Sequence, residues 1–101
     1  MEIGLFQLEN LMHANARFCF LDLRAVAKDV PPQLAALLAR AEKVPAAQVE
    51  AYLKEKPKDA PVILLSEDGQ TARTQADKLE SAGYKNIYVV EGGVEGLLAE
   101  L

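Results

Sequence analysis

The sequence predicts an α/β fold, a three-layer domain in which a parallel sheet of four or five strands lies between helices. Two apolar runs support this, Val62–Leu65 and Ile87–Val90, because an uninterrupted apolar run is typical of a strand buried on both faces. Between them, apolar residues at helical spacing run from Thr71 to Gly83, which supplies a helix stop. Strand, crossover helix and parallel strand form one βαβ unit over residues 61–96.

The remaining apolar residues continue the alternation of strands and helices. In chain order they predict a short edge strand, a helix, a strand, a helix, a short strand and a helix, at residues 2–4, 5–14, 17–23, 34–41, 43–44 and 46–56. The clearest helical stripe follows two prolines, which favour a first helical turn, and consists of Leu34, Leu37, Leu38 and Ala41. A last helix with the same spacing is predicted over residues 94–101.

Length and composition indicate one soluble globular domain over residues 1–101. Half of the residues are hydrophobic and about a quarter are charged, which is ordinary for such a domain. The net charge is −4 and there is no basic run, so no nucleic-acid partner is expected. No apolar stretch approaches the ~20 residues of a membrane span. The start of the chain also lacks a signal segment, so we expect a cytoplasmic protein without a membrane partner.

The polar loop after the first strand of the βαβ unit is where chemistry is expected. In parallel sheets, ligands bind where strands end and helices begin. Residues 66–72 lie there, at a helix N-terminus whose free N–H groups and dipole favour an anion. Glu67 and Asp68 place two negative charges in the loop and disfavour a bound anion, and Arg73 offsets one of them if it points inward.

Two motifs resemble the rhodanese homology domain, the fold of the sulfurtransferases. Residues 83–93, GYKNIYVVEGG, are similar to the family's Gly-aromatic-x-Asn segment, its following strand and its paired glycines. Residues 20–24, FLDLR, are similar to the family's strand ending in Asp-x-Arg. The resemblance covers nearly the whole chain and is most specific at 20–24 and 61–97. It implies a single rhodanese-like domain.

The loop departs from the resembled family at the residues that carry its chemistry. The catalytic cysteine aligns with Ser66, and the loop arginine aligns with Thr71. A sulfurtransferase accepts sulfur on a cysteine thiolate, whereas a serine hydroxyl is far harder to ionise and carries no persulfide. We therefore expect no cofactor, and no catalytic residue among the family's loop positions, which are Ser66, Glu67, Asp68, Gly69, Gln70, Thr71 and Ala72.

The candidate binding residues follow the ends of two strands and are Asp22, Arg24, Ser66, Gly69 and Arg73. In the resembled family, the acid and the arginine after the earlier strand help to organise the loops around the active site. The resemblance implies the same role for Asp22 and Arg24. The plainer alternative is an ion pair or a set of loop hydrogen bonds at a strand end, without ligand contact.

Two side chains outside the loop have both a chemical and a plainer interpretation. Cys19 is the one cysteine, and in an apolar strand we expect a buried, inert core thiol. As a replacement nucleophile it would need to lie exposed at the end of that strand. His13 is expected to be a polar residue at a helix C-terminus. It has no partner ligand at i−4 or i+4, so no metal site is expected.

These features predict a non-catalytic rhodanese-like module for binding or regulation, with an unidentified protein partner and no favoured oligomeric state. The alternative is a sulfurtransferase with an atypical loop that works through Cys19. Another enzymatic interpretation uses Ser66 as a nucleophile or as a phosphoryl acceptor. A self-associating or partner-docking domain would be favoured by an exposed apolar patch within residues 34–53.

Overall fold

The computed structural model describes residues 1–14 and 17–101 and contains one parallel sheet of five strands. The strands are β1 Glu2–Ile3, β2 Cys19–Asp22, β3 Glu42–Lys43, β4 Val62–Leu65 and β5 Ile87–Val90. Their spatial order is β1-β5-β4-β2-β3, so β4 is central and the two shortest strands form the edges. The parallel sheet predicted from the sequence is confirmed.

Helices cover both faces of this sheet. Across the described residues they are α1 Leu5–His13, α2 Pro32–Leu38, α3 Val49–Leu53, α4 Gln70–Ser81 and α5 Gly93–Ala99, with a 3₁₀ turn at Ala46–Gln48 before α3. Buried residues of α1, α2 and α5 belong to one apolar cluster, and those of α3 and α4 belong to the other. The predicted three-layer arrangement is confirmed.

The central strand β4 separates the two apolar cores. Val62 and Leu64 belong to the cluster on the α3 and α4 side, whereas Ile63 and Leu65 belong to the other cluster. This division follows from the strand geometry, because successive side chains point to opposite faces of a sheet. All four side chains are fully buried, as the uninterrupted apolar run predicts.

Some predicted elements have different ends. The strand expected over 17–23 is limited to Cys19–Asp22, the four residues whose Cα atoms pair with β4. The helix expected over 46–56 is a 3₁₀ turn followed by the five residues of α3. The turn is closed by the Gln48 N–H, which donates to the Pro45 carbonyl, so the first residues after the proline wind more tightly than an α-helix.

The helix expected over 34–41 also ends early. It stops at Leu38, after which the N–H groups of Arg40 and Ala41 donate to carbonyls three residues back. Such tightened bonds close the last turn of a helix. They bring the chain directly into β3, so the tertiary pairing of β3 with β2 sets the helix end.

The predicted stop of α4 is confirmed. Gly83 has a φ of +98°, a left-handed conformation that glycine adopts without steric cost. The next N–H, of Tyr84, donates to the Leu79 carbonyl at 3.0 Å and closes the helix end. This closure points the chain toward β5.

An exposed apolar patch within residues 34–53 would have favoured a self-associating or partner-docking domain. In the described part of the chain, the exposed large apolar side chains lie outside that range and are Met1, Phe6, Val26, Leu98 and Leu101. This criterion therefore does not favour docking through residues 34–53. Among residues 1–14 and 17–101, no helix combines the length and the apolar character that crossing a bilayer requires.

Candidate functional site

The carboxyl ends of β2 and β4 meet at one edge of the sheet, beside a cavity of about 620 Å³. Asp22 pairs with Leu65 in the parallel register, so the residues that follow these two strands lie side by side. The cavity is bounded by both strand ends, by the loop 66–72 and by the chain that leaves β3. Its polar lining consists of Asp22, Arg24, Lys28, Lys43, Ser66, Glu67 and Thr71.

Ser66 is the most buried of the polar residues in the loop 66–72, with only 2% of its surface exposed. Its Oγ accepts hydrogen bonds from the N–H groups of Gly69, at 3.1 Å, and of Ala72, at 3.2 Å. These are donors at the start of α4, which a helix leaves without intrahelical partners. The hydroxyl oxygen therefore takes two of the N–H groups that a bound anion would otherwise use.

The start of α5 holds the same loop from the other side. Val94 donates its N–H to the Ser66 carbonyl at 2.9 Å, and Glu95 donates to the Glu67 carbonyl at 3.1 Å. Gly93 makes this approach possible, because a Cβ there would stand only 2.7 Å from the Gly69 nitrogen. The paired glycines of the sequence thus mark a close backbone contact.

Asp22 and Arg24 form a buried bidentate ion pair. The Arg24 Nη2 lies 2.8 Å from Oδ2 and Nε lies 3.0 Å from Oδ1, while the Arg24 backbone N–H also donates to Oδ1 at 3.0 Å. The side chains of Asp22 and Arg24 are 5% and 6% exposed. Burial raises the pKa of Asp22, but the hydrogen bonds from Arg24 outweigh it and hold that pKa below its usual range. The same bonds raise the pKa of Arg24.

The two loop acids have different positions. Glu67 lines the cavity and lies 3.6 Å from the Lys28 Nζ. Asp68 is exposed and does not line the cavity, and its Oδ1 accepts the N–H of Gln70 at 3.0 Å. The structure thus corrects the expectation of two charges at the site and brings only one carboxylate of the loop to it.

Two other candidates lie away from the cavity. Arg73 points in another direction and forms an ion pair with Glu2 of β1. Cys19 begins β2 opposite Val62, roughly 13 Å along the strand direction from Ser66 at about 3.3 Å per residue. Cys19 is half-buried against the core, so the expectation of a buried thiol is corrected to a partly exposed one.

The cavity also contains residues that the sequence did not single out. Lys28 follows the Asp-x-Arg segment, and Lys43 and Val44 stand at the end of β3. The sequence contained a signal for Lys43 and Val44, because a strand was predicted there and the ends of parallel strands meet at one edge of the sheet. In the described ranges, no group of three His, Cys, Asp or Glu side chains is placed to hold a metal ion.

Comparison with protein families agrees with this arrangement. The rhodanese-like domain family matches residues 7–100 of the chain. The chain belongs to the rhodanese-like domain family. The resemblance carried by residues 20–24 and 83–93 is thereby confirmed at the level of the family.

Individual relatives of this rhodanese-like domain differ widely in length. The chloroplastic calcium sensing receptor of maize is 35% identical over 72 residues, which are 68% of this chain and only 18% of that protein. The chain therefore spans less than a fifth of this relative.

Solved structures show the same fold at low identity. A rhodanese homolog from the extremely thermophilic bacterium Thermus thermophilus is 24% identical and has a TM-score of 0.68, covering 96% of this chain and all of that one. A thiosulfate sulfurtransferase from Pseudomonas aeruginosa is 19% identical and has a TM-score of 0.74, covering 94% of this chain and 18% of that one.

Proposed function

We propose that this rhodanese-like domain is a non-catalytic module for binding or regulation. One observation carries the proposal: the buried Ser66 Oγ accepts two backbone hydrogen bonds at the position that the resemblance assigns to the sulfur-carrying cysteine. Sulfur transfer needs a thiolate, which attacks the donor and carries the sulfur as a persulfide. An oxygen at that position supports the loop without offering this chemistry.

Ser66 is also poorly placed to act as a nucleophile of another kind. Activation of a serine hydroxyl requires a neighbouring base that accepts its proton. Among the described residues, the hydrogen-bond partners of Ser66 Oγ are two backbone donors and include no side-chain base. Its burial also argues against Ser66 as a phosphoryl acceptor.

The maize relative supports a modular role. In that protein, named for calcium sensing, the region similar to this chain makes up 18% of the length. We infer that the present domain likewise works through a partner protein or a longer polypeptide.

We also propose that residues 1–101 form one domain, that the protein is cytoplasmic and that it has no nucleic-acid partner.

Transfer of sulfur from thiosulfate to cyanide tests the proposal. We expect the wild-type domain and the Ser66→Ala variant to give the same rate as buffer. A cysteine-bearing enzyme, such as the Pseudomonas aeruginosa thiosulfate sulfurtransferase, is the positive control. Wild-type turnover comparable to that enzyme overturns the proposal. If turnover is then lost in Cys19→Ser but not in Ser66→Ala, the alternative of a sulfurtransferase that works through Cys19 is correct.

The Ser66→Cys variant tests whether the cysteine nucleophile is the only group that the loop lacks for persulfide formation. We expect little persulfide on this variant, because Glu67 remains in the lining and repels an anionic sulfur donor. A carboxylate nearby also raises a thiol pKa and lowers the thiolate fraction. Mass spectrometry after incubation with thiosulfate measures the persulfide. The double variant with Glu67→Gln should form more of it, whereas strong formation by Ser66→Cys alone contradicts the assigned effect of Glu67.

A further inference from the structure

One polar atom at the cavity has no partner. The Arg24 guanidinium uses Nε and Nη2 for Asp22, yet its Nη1 is buried and makes no hydrogen bond within the described residues. A guanidinium has five N–H donors in a fixed geometry, and the two on Nη1 have no acceptor here. A buried donor without an acceptor costs free energy, so this atom favours any acceptor that reaches it.

Arg24 lines two cavities. One has a volume of about 620 Å³ and the other a volume of about 320 Å³. Asp22 and Lys43 line the same two cavities and are paired across β2 and β3, so the three charged residues stand next to one another at this end of the sheet. An acceptor that contacts Arg24 from either cavity therefore enters a space that Lys43 also lines.

The charges around the cavity favour a single negative charge. Three cations and two carboxylates line it, which leaves one positive charge uncompensated. Asp22 is committed to Arg24, and Glu67 lies beside Lys28. Lys43 makes no ion pair among the described residues. A dianion would exceed this charge and would meet the Glu67 carboxylate.

Apart from Ser66 and Thr71, the uncharged lining is apolar and suits a short hydrocarbon chain. Leu23, Val44 and Pro45 lie on this wall beside Lys43, and Val26 stands at the mouth with 69% of its surface exposed. Small-molecule sites commonly combine such an apolar wall with a few polar groups that fix orientation.

We propose that the cavity binds a small aliphatic monocarboxylate, whose carboxylate accepts from Arg24 Nη1 and pairs with Lys43 while its chain packs on Val44 and Pro45. A carboxylate matches the two parallel N–H groups of the second guanidinium edge, one on Nη1 and the other on Nη2. The inference rests on the proposed function, since it identifies the ligand class of a module that performs no chemistry.

The segment 25–30 contributes to the walls of both cavities. It follows Arg24, has no helix or strand, and makes no backbone hydrogen bond to the rest of the described chain. One polar contact ties it down, the Lys28 to Glu67 pair at 3.6 Å. Because Nη1 is closed to solvent, a carboxylate reaches it only if part of the wall moves, and the proposal assigns this movement to the weakly held segment 25–30.

Titration of the ¹⁵N-labelled domain with sodium hexanoate, followed by NMR, tests the proposal. We expect saturable shifts at residues 23–28 and 43–45. Lys43→Gln should weaken binding about tenfold, as loss of one charge-assisted contact does. Lys85→Gln, the same change at an exposed lysine away from the cavity, should leave binding unchanged. Hexylamine, with the same chain and the opposite charge, should not bind.

Several outcomes overturn the inference. They are an absence of saturable hexanoate shifts, equal weakening by Lys43→Gln and Lys85→Gln, equal binding of hexylamine, and tighter binding of thiosulfate than of hexanoate. The variant Arg24→Lys keeps a cation for Asp22 and removes the second donor edge, so unchanged hexanoate binding by a folded Arg24→Lys also overturns it. The sulfur-transfer assay is a separate measurement, so failure of the non-catalytic proposal is distinguishable from failure of this one.

Discussion

At the scale of the residue, Ser66 links the backbone of the loop to the first turn of α4. Its Oγ accepts from the N–H groups of Gly69 and Ala72, although the sequence position of Ser66 is three residues before the N-cap. The side chain thus performs a capping role from outside the helix. The same atom therefore stabilises the loop and occupies two of the N–H donors that an anion would otherwise use.

Replacement of this hydroxyl should have a measurable cost. Ser66→Ala leaves the Gly69 and Ala72 donors without their acceptor in a buried site, and we expect a loss of about 1–2 kcal/mol in the free energy of unfolding. Urea denaturation measures this loss. Thr74→Ala, on the exposed side of α4, is the control and should change stability by less than about 0.5 kcal/mol. Equal effects would show that the hydroxyl does not cap.

The ion pair of Asp22 and Arg24 makes stability depend on pH. The pKa of Asp22 is lowered in the folded state. The unfolded chain therefore binds more protons than the folded protein once the pH approaches and falls below the ordinary aspartate pKa of about 3.9. The stabilisation is complete above that value and is lost as the pH falls through the lowered folded pKa.

The variant Asp22→Asn tests this dependence. At pH 7 it should lower the free energy of unfolding by about 3–5 kcal/mol, because Arg24 remains buried without a counter-charge. The difference from wild type should shrink on acidification below about pH 4 in urea denaturation series. Asp77→Asn, at an exposed site of α4, is the control with no such trend. A difference that is constant with pH contradicts the lowered pKa.

At the scale of the element, the βαβ unit was predictable because its signals are local. The apolar runs of β4 and β5 and the stop at Gly83 depend on neighbouring residues alone. The ends of α2 and β2 were not predictable, because the pairing of β2 with β3 and β4 sets them. The role of Gly93 was predictable only in part. The paired glycines are visible in the sequence, but their contact with the loop 66–72 is a tertiary feature that the sequence does not show.

Gly93→Ala should disturb the loop as well as the chain conformation. Its φ is +61°, and an added Cβ would press on the backbone of residues 66–69. Gly83→Ala is a matched control, because Gly83 has a similar positive φ of +98° and open space around a Cβ. We expect about 1 kcal/mol of destabilisation for Gly83→Ala and a clearly larger loss for Gly93→Ala. Only Gly93→Ala should shift the NMR signals of Ser66, and equal shifts would contradict the contact.

At the scale of the whole molecule, both helix layers converge on the loop 66–72. Helix α4 begins at it from one face of the sheet, and α5, which packs on the other face, donates to its carbonyls. Ligands bind at the carboxyl ends of parallel strands, and this rule identified the loop 66–72 and the Asp22–Arg24 pair from the sequence. The same rule did not predict that Lys28 lines the cavity or that Arg73 points away from it, since both depend on how the connections fold over the sheet. Rigidity of the site therefore depends on the sheet that joins the layers.

The central strand provides the last test, through Leu64. Its side chain is fully buried in the core between β4 and the layer of α3 and α4. Leu64→Ala removes apolar contacts and leaves a cavity, so we expect a loss of about 2–5 kcal/mol in the free energy of unfolding by urea. Phe6→Ala removes a larger side chain that is 74% exposed, and it should cost less than about 0.5 kcal/mol. If Leu64→Ala costs no more than Phe6→Ala, β4 is not the strand that joins the two cores.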